Sequence, residues 1–120
     1  LALAVRMQGR WSGPTTVAYG DFNPDNWTLR YFNPATRWVA VEPGIGLAGF
    51  RRLLADQQRE GRTVWLDSSA VRTLDGMGPE AAAFAAALIR EEVVQDRMGT
   101  RLYRLGSPPP NGSGVVESVR

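Results

Sequence analysis

One amphipathic helix pattern enclosed between two strand patterns constrains the fold of this chain more than any other feature. Residues 47–60 place apolar side chains on one face at helical spacing and charged side chains on the other, and Gly61 supplies a C-terminal stop. Residues 37–42 and 63–66, on either side, are short runs rich in β-branched and aromatic side chains, which are typical of strands. This order predicts a strand–helix–strand crossover whose two strands are parallel in one sheet.

The other predicted elements extend this crossover in both directions. Residues 15–19 predict a first strand and residues 27–31 a short helix after it, while residues 79–89 predict a helix that opens on a proline. Residues 93–94 and 101–105 predict a final antiparallel hairpin. The sequence therefore predicts an α/β fold, Rossmann-like and in three layers, with a mostly parallel sheet of about four to five strands and a C-terminal antiparallel hairpin.

A length of 120 residues leaves room for one domain with one core. We expect the α/β domain to span residues 13–106, and residues 107–120, rich in proline and glycine, to form a disordered tail. Residues 1–12 begin with a short apolar run and predict either the end of a membrane helix or a linker, with a first strand or turn of the fold as the other interpretation. No stretch approaches the roughly 18–20 apolar residues of a complete membrane span.

The composition excludes several kinds of chemistry. The chain has no cysteine, histidine or lysine, so it offers no thiolate nucleophile, no serine–histidine pair, no Schiff-base amine and no cysteine or histidine zinc site. The fourteen basic residues are all arginines, spread along the chain and nearly balanced by twelve carboxylates to a net charge of +2. This balance lacks the clustered positive charge of nucleic-acid binding proteins, so we expect no nucleic-acid partner.

Gly44, Gly46 and Gly49 form a G-x-G-x-x-G pattern between a predicted strand and a predicted helix, with Asp67 at the end of the next strand. In dinucleotide sites such glycines let backbone N–H groups approach a pyrophosphate, and the later acid binds a ribose hydroxyl. The match is weakened because Glu42 and a proline lengthen the turn, because the pattern lies in the second strand–helix unit, and because the chain has no second nucleotide half. A small nucleotide-binding module is therefore an alternative function, and a glycine-rich loop leading into a helix is the plainer interpretation.

Acidic and hydroxyl side chains follow the predicted parallel strands and define a candidate ligand edge of the sheet. In open α/β sheets, ligands bind just beyond the carboxyl ends of the strands. Side chains in this position can bind a cation, act as an acid and base pair, or cap the following helices, and capping is the commonest role of Asp and Ser after a strand. The candidate ligand-edge residues are Asp21, Asp25, Glu42, Asp67 and Ser68.

No metal site is predicted. Residues 21–25 begin like a calcium loop, with oxygen ligands at alternate positions, but Asn26 stands where the loop needs glycine and Phe32 where it needs glutamate. A turn that caps the following helix is the better interpretation. Aromatic side chains around the same crossover predict either core packing or a sugar-stacking surface, and they are Trp27, Tyr31, Phe32 and Trp38.

Five short words follow one another along the chain: VAYG at 17–20, NWTLRYF at 26–32, RWV at 37–39, GRTVWL at 61–66 and GTRLYRL at 99–105. In this order they resemble the soluble C-terminal domain of bacterial membrane glycosyltransferases that use polyprenyl-phosphate sugars, the type related to protein mannosyltransferases and aminoarabinose transferases. The likeness covers roughly residues 15–105. It is a pattern of elements and words that contains no catalytic signature, and the loop at 42–49 departs from it.

The resemblance implies a location and a role. In such enzymes the active site lies in the membrane helices and early extracytoplasmic loops, so the resemblance assigns no catalytic residue and no cofactor to this chain. It implies a non-catalytic accessory domain on the extracytoplasmic, periplasmic face of the bacterial inner membrane, in a parent protein that transfers sugars. The implied partners are the membrane helices and the acceptor or lid loops of that parent, and a glycan or lipid-linked sugar. A partner-binding domain of another kind of protein is the third interpretation.

Overall fold

Three helices and five strands form a mixed α/β fold in the part of the chain that the structure describes. The structure is a computed structural model, and it describes residues 13–21, 35–94 and 101–108. The elements in chain order are β1 (Thr15–Tyr19), β2 (Arg37–Ala40), a 3₁₀ turn (Pro43–Ile45), α1 (Gly46–Arg59), β3 (Thr63–Asp67), α2 (Ser68–Gly76), α3 (Pro79–Leu88), β4 (Ile89–Val94) and β5 (Arg101–Leu105).

The five strands form one mixed sheet in the order β2-β1-β3-β5-β4. Strand β1 is parallel to both β2 and β3, whereas β5 is antiparallel to β3 and to β4. The predicted parallel strands on either side of α1 and the predicted antiparallel C-terminal pair are both present. The sheet is mixed, with two parallel and two antiparallel pairings, because β5 lies between β3 and β4, two strands that run in the same direction.

One apolar core lies between the sheet and the three described helices. Alternate residues of the strands face this core, as shown by the fully buried Ala18 on β1 and by Val64 and Leu66 on β3. The helices contribute buried side chains to the same cluster, among them Phe50, Leu54, Leu74 and Leu88. Side chains on the opposite face of the sheet are buried as well, namely Val17, Trp65 and Leu102. Both faces of the sheet are therefore buried at its centre, on β1, β3 and β5.

Helix α1 follows the sequence pattern closely. Phe50 and Leu54 are its buried side chains, and their spacing of one helical turn places both on the face toward the sheet. The ring of Phe50 meets the ring of Phe84 on α3 edge to face, with the centroids 6.0 Å apart. Arg51 lies over the same Phe84 ring, 4.6 Å from its centroid. These contacts hold α1 against α3.

A Schellman motif ends α1 where the sequence predicts a stop. Gly61 has a φ of +79°, a left-handed conformation that glycine adopts without the steric cost of a side chain. Its N–H donates to the carbonyl of Gln58 at 2.9 Å, and the N–H of Arg62 donates to the carbonyl of Gln57 at 3.1 Å. These bonds satisfy two carbonyls at the helix end, and the chain then enters β3.

Helix α2 is missing from the sequence interpretation, in which the next helix after β3 is the one at 79–89. Its nine residues include two that are β-branched, at positions 71 and 73, and these have low helix propensity. The helix forms because Asp67 caps it, accepting a hydrogen bond from the N–H of Ala70 at 2.9 Å. It is held in place because Ala70 and Leu74 are buried in the core.

The boundary between α3 and β4 also differs from the prediction. Helix α3 ends at Leu88 and β4 begins at Ile89, instead of at residue 93. Strand β4 carries two acidic residues that pair with arginines on β5, Glu91 with Arg104 and Glu92 with Arg101. Neighbouring residues of a strand point to opposite faces, so the two ion pairs lie on opposite sides of the sheet. Consecutive charges of this kind conceal the strand from an apolar alternation pattern.

Some predictions concern residues outside those that the structure describes. They are the short helix at 27–31 with its aromatic side chains Trp27, Tyr31 and Phe32, the candidate ligand residue Asp25, and the N-terminal segment 1–12. Among the described residues, no helix is long and apolar enough to cross a membrane. The three-layer arrangement and the interpretation of residues 1–12 stay predictions.

Candidate functional site

The carboxyl ends of three neighbouring strands meet at one edge of the sheet, which we call the carboxyl edge. Strands β2, β1 and β3 are adjacent and parallel. Asp21 follows β1, Glu42 follows β2 and Asp67 is the last residue of β3, so all three lie at this edge. Helices α1 and α2 begin here too, because each follows one of these strands. The carboxyl edge is therefore the candidate functional site.

Asp67 is the buried N-cap of α2. Its exposed fraction is only 1%, and its backbone is extended, as a cap residue requires. Its Oδ1 atom accepts hydrogen bonds from the N–H of Ala70 at 2.9 Å and from the hydroxyl of Ser69 at 2.7 Å. The carboxylate also places negative charge at the positive end of the helix. Of the roles that the sequence allows for Asp67, helix capping is the one its geometry shows.

Ser69 joins the chain after β1 to the start of α2. It is 2% exposed, and its Oγ accepts the backbone N–H groups of Gly20 and Asp21 at 2.8 and 2.9 Å. The same hydroxyl donates to Asp67. A hydroxyl has one donor and two acceptor positions, so these three bonds use its complete hydrogen-bonding capacity. Ser69 is a structural link between β1, β3 and α2, and the sequence patterns do not single it out.

The chain approaches α2 so closely at Gly20 that no side chain fits there. A Cβ atom at this position would lie 2.4 Å from the carbonyl oxygen of Ser69 and 2.4 Å from Oγ1 of Thr73. The hydroxyl of Thr73 is itself fixed, because it donates to that carbonyl at 3.0 Å. The first turn of α2 therefore fills the space beyond β1, where an open α/β sheet would hold a ligand.

Ser68 links the start of α2 to the antiparallel part of the sheet. Its Oγ accepts the backbone N–H of Arg101 at 2.7 Å and lies 3.3 Å from the carbonyl oxygen of Arg101. Arg101 is the first residue of β5. Thus Asp67 caps α2, Ser68 holds the start of β5, and Ser69 holds the end of β1. We call these three residues the junction segment.

The remaining candidate acids at the carboxyl edge are Asp21 and Glu42, and both are exposed. The backbone of Asp21 is tied to Asp67 through Ser69. Glu42 precedes the 3₁₀ turn, and its side chain makes no capping hydrogen bond. Within the described part of the chain, no group of three or more acidic side chains lies close enough together to hold a metal ion.

The glycine-rich segment leads into α1 from β2, the outer strand of the sheet. Gly46 has a φ of +65° and is the first residue of the helix, whereas a Cβ at Gly44 would meet nothing within 4 Å. Strand β1 separates this segment from Asp67, and the Oδ1 atom of Asp67 is engaged at the junction segment. Nucleotide binding by Gly44, Gly46, Gly49 and Asp67 stays a prediction, and the geometry gives Asp67 a different role.

A second polar cluster lies at the amino ends of the parallel strands, where sequence patterns indicate nothing. Arg62 Nε donates to the hydroxyl of Thr16 at 2.8 Å, and that hydroxyl donates to Gln57 Oε1 at 2.8 Å. Arg37 donates to Gln57 Oε1 and to Glu60 Oε1, each at 2.9 Å. The cluster fastens the last turn of α1 to β1 and β2. The signal for it is a threonine inside an otherwise apolar strand pattern.

A cavity of about 360 Å³ opens near the same end of the sheet. Its lining includes Trp65, Glu91 and Arg104, and the last two form an ion pair at 3.1 Å. Trp65 is 3% exposed. Stacking on a sugar requires an accessible ring face, which the buried Trp65 does not offer. The polar feature of the cavity is therefore the ion pair.

Tyr103 on β5 is half-buried against the core, and the pKa of its phenol is raised above the ordinary tyrosine value. Burial raises the pKa of this phenol, and the negative charge of Glu92 raises it further. Glu92 in turn raises the pKa of Arg101 through their hydrogen bond. Tyr103 is therefore a neutral phenol at physiological pH, which does not suit it for the role of general base.

Comparisons with protein-family models, with curated proteins and with solved structures find nothing that matches this chain.

Proposed function

We propose that this chain is a non-catalytic accessory domain of a membrane-bound glycosyltransferase that uses polyprenyl-phosphate sugars, at the periplasmic face of the bacterial inner membrane. The observation that carries the proposal is the hydrogen bonding of the junction segment. Its polar side chains lie where an α/β enzyme holds its substrate, and they are used to hold the fold. The chemistry then belongs to the membrane part of the parent protein, and this domain contacts its acceptor or lid loops.

The geometry of Ser69 supports a non-catalytic role. A serine that donates to a buried carboxylate has the outward form of an activated nucleophile. A nucleophile, however, must present a lone pair to its substrate, and both acceptor positions of Ser69 are taken by the N–H groups of Gly20 and Asp21. Its 2% exposure also leaves no route for an approaching carbonyl or anomeric carbon.

The placement of the sequence words supports the family assignment. Within the described residues, the words at 17–20, 37–39 and 61–66 fall on or beside the adjacent parallel strands β1, β2 and β3, and residues 101–105 form β5. The words that fall on described strands are therefore next to one another in the sheet. This is the arrangement expected if the likeness reflects a shared fold.

The proposal includes a Rossmann-like, three-layer architecture. Its support is the burial of Val17, Trp65 and Leu102 on the sheet face that points away from the core of α1, α2 and α3. A sheet buried on both faces is covered by a layer on each side. A domain of this kind offers its loops and edges, and not a deep central site, to the membrane part of a parent protein.

Sugar transfer by the isolated chain tests the non-catalytic part of the proposal. The purified 120-residue chain is incubated with a radiolabelled polyprenyl-phosphate sugar and an acceptor peptide or lipid in detergent, and transferred label is counted. We expect no turnover above that of a heat-unfolded sample. Transfer by the folded chain that exceeds this background would overturn the proposal.

A thermal-shift experiment tests the nucleotide-binding alternative. The chain is melted in the presence of millimolar ATP, NAD or a UDP-sugar, beside a Gly44→Val variant that blocks close approach of a phosphate to the loop. We expect no shift of the melting temperature for either protein. A shift that appears in the wild type and disappears in the variant would favour the nucleotide-binding module instead.

A further inference from the structure

The outer edge of β2 is open in the part of the chain that the structure describes. Strand β2 pairs only with β1 among the described strands. The N–H of Val41, just after the strand, donates toward β1, to the carbonyl of Tyr19 at 2.8 Å. Because backbone groups alternate in direction along a strand, those of Trp38 and Ala40 face away from β1. Unpaired groups of this kind are a template for the addition of another strand.

A groove of about 590 Å³ runs along this open edge, between β2 and α1. Val39 and Ala40 form its sheet side, and the wall from α1 includes the small residues Ala48 and Gly49. Ile45, at its end, is 37% exposed and is the large apolar side chain most exposed in the described residues. A strand added to β2 would direct alternate side chains into this groove, since Val39 points to the same face.

The groove carries one arginine that has no partner among the described residues. Arg52 lines it and is exposed. The other charges nearby are already paired, because Arg59 bonds to Asp56 and Arg37 bonds to Glu60, both at 2.9 Å. The unmatched charge of the groove is therefore positive. A carboxylate is the complementary group for a guanidinium, which it can meet with two parallel hydrogen bonds.

We propose that β2 and this groove bind an extended peptide segment by strand addition, with apolar side chains at alternate positions and one acidic side chain opposite Arg52. The main chain of the peptide pairs with Trp38 and Ala40, and its apolar side chains enter the space that Ala48 and Gly49 leave open. A second copy of this chain is disfavoured as the occupant, because it would bring a second Arg52 to the same positive groove. The inference does not depend on the proposed function.

The test uses three synthetic peptides of seven residues with valine and threonine alternating and a glutamate at the first, second or third groove-facing position. Binding to the full 120-residue chain is followed by two-dimensional NMR, together with amide exchange at Trp38 and Ala40. We expect at least one peptide to bind and to slow exchange at these two amides. Its affinity should fall about tenfold on Arg52→Glu, and a peptide with lysine in place of glutamate should then bind the variant better than the wild type.

Two further variants separate groove binding from general effects. Ala48→Leu fills the groove and should abolish binding. Ala55 is an exposed alanine of α1 that does not line the groove, so Ala55→Leu should leave binding unchanged. The proposal is overturned if none of the three peptides binds at millimolar concentration. It is also overturned if the affinity is the same in Arg52→Glu, or if sedimentation shows a dimer of this chain that Ala48→Leu dissociates.

Discussion

Removal of the Ser69 hydroxyl is the sharpest perturbation of the junction segment. Ser69→Ala deletes one donor and two acceptor interactions, to Asp67, Gly20 and Asp21. Asp21 is exposed and its N–H can bond to water, and Asp67 keeps the hydrogen bond from the N–H of Ala70, but the half-buried Gly20 N–H loses its partner and the buried Asp67 loses one of its donors. Each hydrogen bond contributes about 1 kcal/mol net to stability, and the substitution removes three of them. We therefore expect a loss of about 3 kcal/mol in the free energy of unfolding.

A loss of this size is large beside the roughly 5–15 kcal/mol that stabilises a typical domain. For a domain of this length it corresponds to a fall in melting temperature of roughly 10–20 °C. The assay is urea unfolding followed by tryptophan fluorescence, with calorimetry for the melting temperature. An unchanged dependence of the free energy on urea concentration would show that the variant unfolds from the same native fold.

Ser68→Ala is the matched control, because it removes the same hydroxyl from the neighbouring residue. The bonds of Ser68 to the backbone of Arg101 lie in a more exposed setting, where water replaces them, so we expect a loss of only about 0.5–1 kcal/mol. Equal losses for the two variants, or a loss below about 1 kcal/mol for Ser69→Ala, would refute the reasoning that Ser69 is the central link of the junction.

Three further predictions concern packing and pH. Gly20→Ala should lower the free energy of unfolding by about 1–3 kcal/mol, because the new Cβ would lie 2.4 Å from the backbone of α2. Gly44→Ala is the control: its Cβ would meet nothing within 4 Å, so it should have little effect in the same urea assay. Leu54→Ala should lower the free energy of unfolding by about 2–5 kcal/mol, because Leu54 is fully buried. Leu53 is only half-buried, so Leu53→Ala should lower it clearly less. The raised pKa of Tyr103 predicts stability that is complete below about pH 10, the ordinary tyrosine value, and that falls as the pH rises through the pKa of the folded state. Urea midpoints between pH 8 and 11 should show this fall, and an unchanged fall in Tyr103→Phe would contradict its origin in that phenol.

The elements that sequence patterns predict best are those in which local and tertiary signals agree. Helix α1 has an amphipathic face and a glycine stop, and both its core residues and its Schellman motif follow from them. Helix α2 is missed because its N-cap Asp67 and its first residues Ser68 and Ser69 are also typical of a turn. The signal that could have revealed it is Asp67 standing just before apolar residues at helical spacing, Ala70 and Leu74, which is an N-cap pattern.

The sheet is predicted in part for a related reason. The parallel strands are apolar and continuous, which is typical of buried strands. Strand β4 is concealed by Glu91 and Glu92, whose charges are matched only by Arg104 and Arg101 on the partner strand. Such a pairing between neighbouring strands can be predicted only when the register of β4 against β5 is known. The insertion of β5 between β3 and β4 is likewise a tertiary fact that no local pattern encodes.

The candidate site shows the same division between local pattern and tertiary contact. The position of Asp21, Glu42 and Asp67 at one edge follows from the parallel direction of β1, β2 and β3, which the sequence predicts. The use of Asp67 and Ser69 as structural links depends on the approach of Gly20 to α2, a contact across 49 residues of sequence. Acidic residues after parallel strands are therefore weak indicators of function until the helix that follows each strand is known.

The most direct test of the central claim is to sequence the coding DNA on the 5′ side of the codon for Leu1. An accessory domain of a membrane glycosyltransferase predicts several upstream apolar stretches of about 20 residues each, with an acidic residue in the first extracytoplasmic loop. An in-frame start codon a few codons before Leu1, with no such stretches, would contradict the claim.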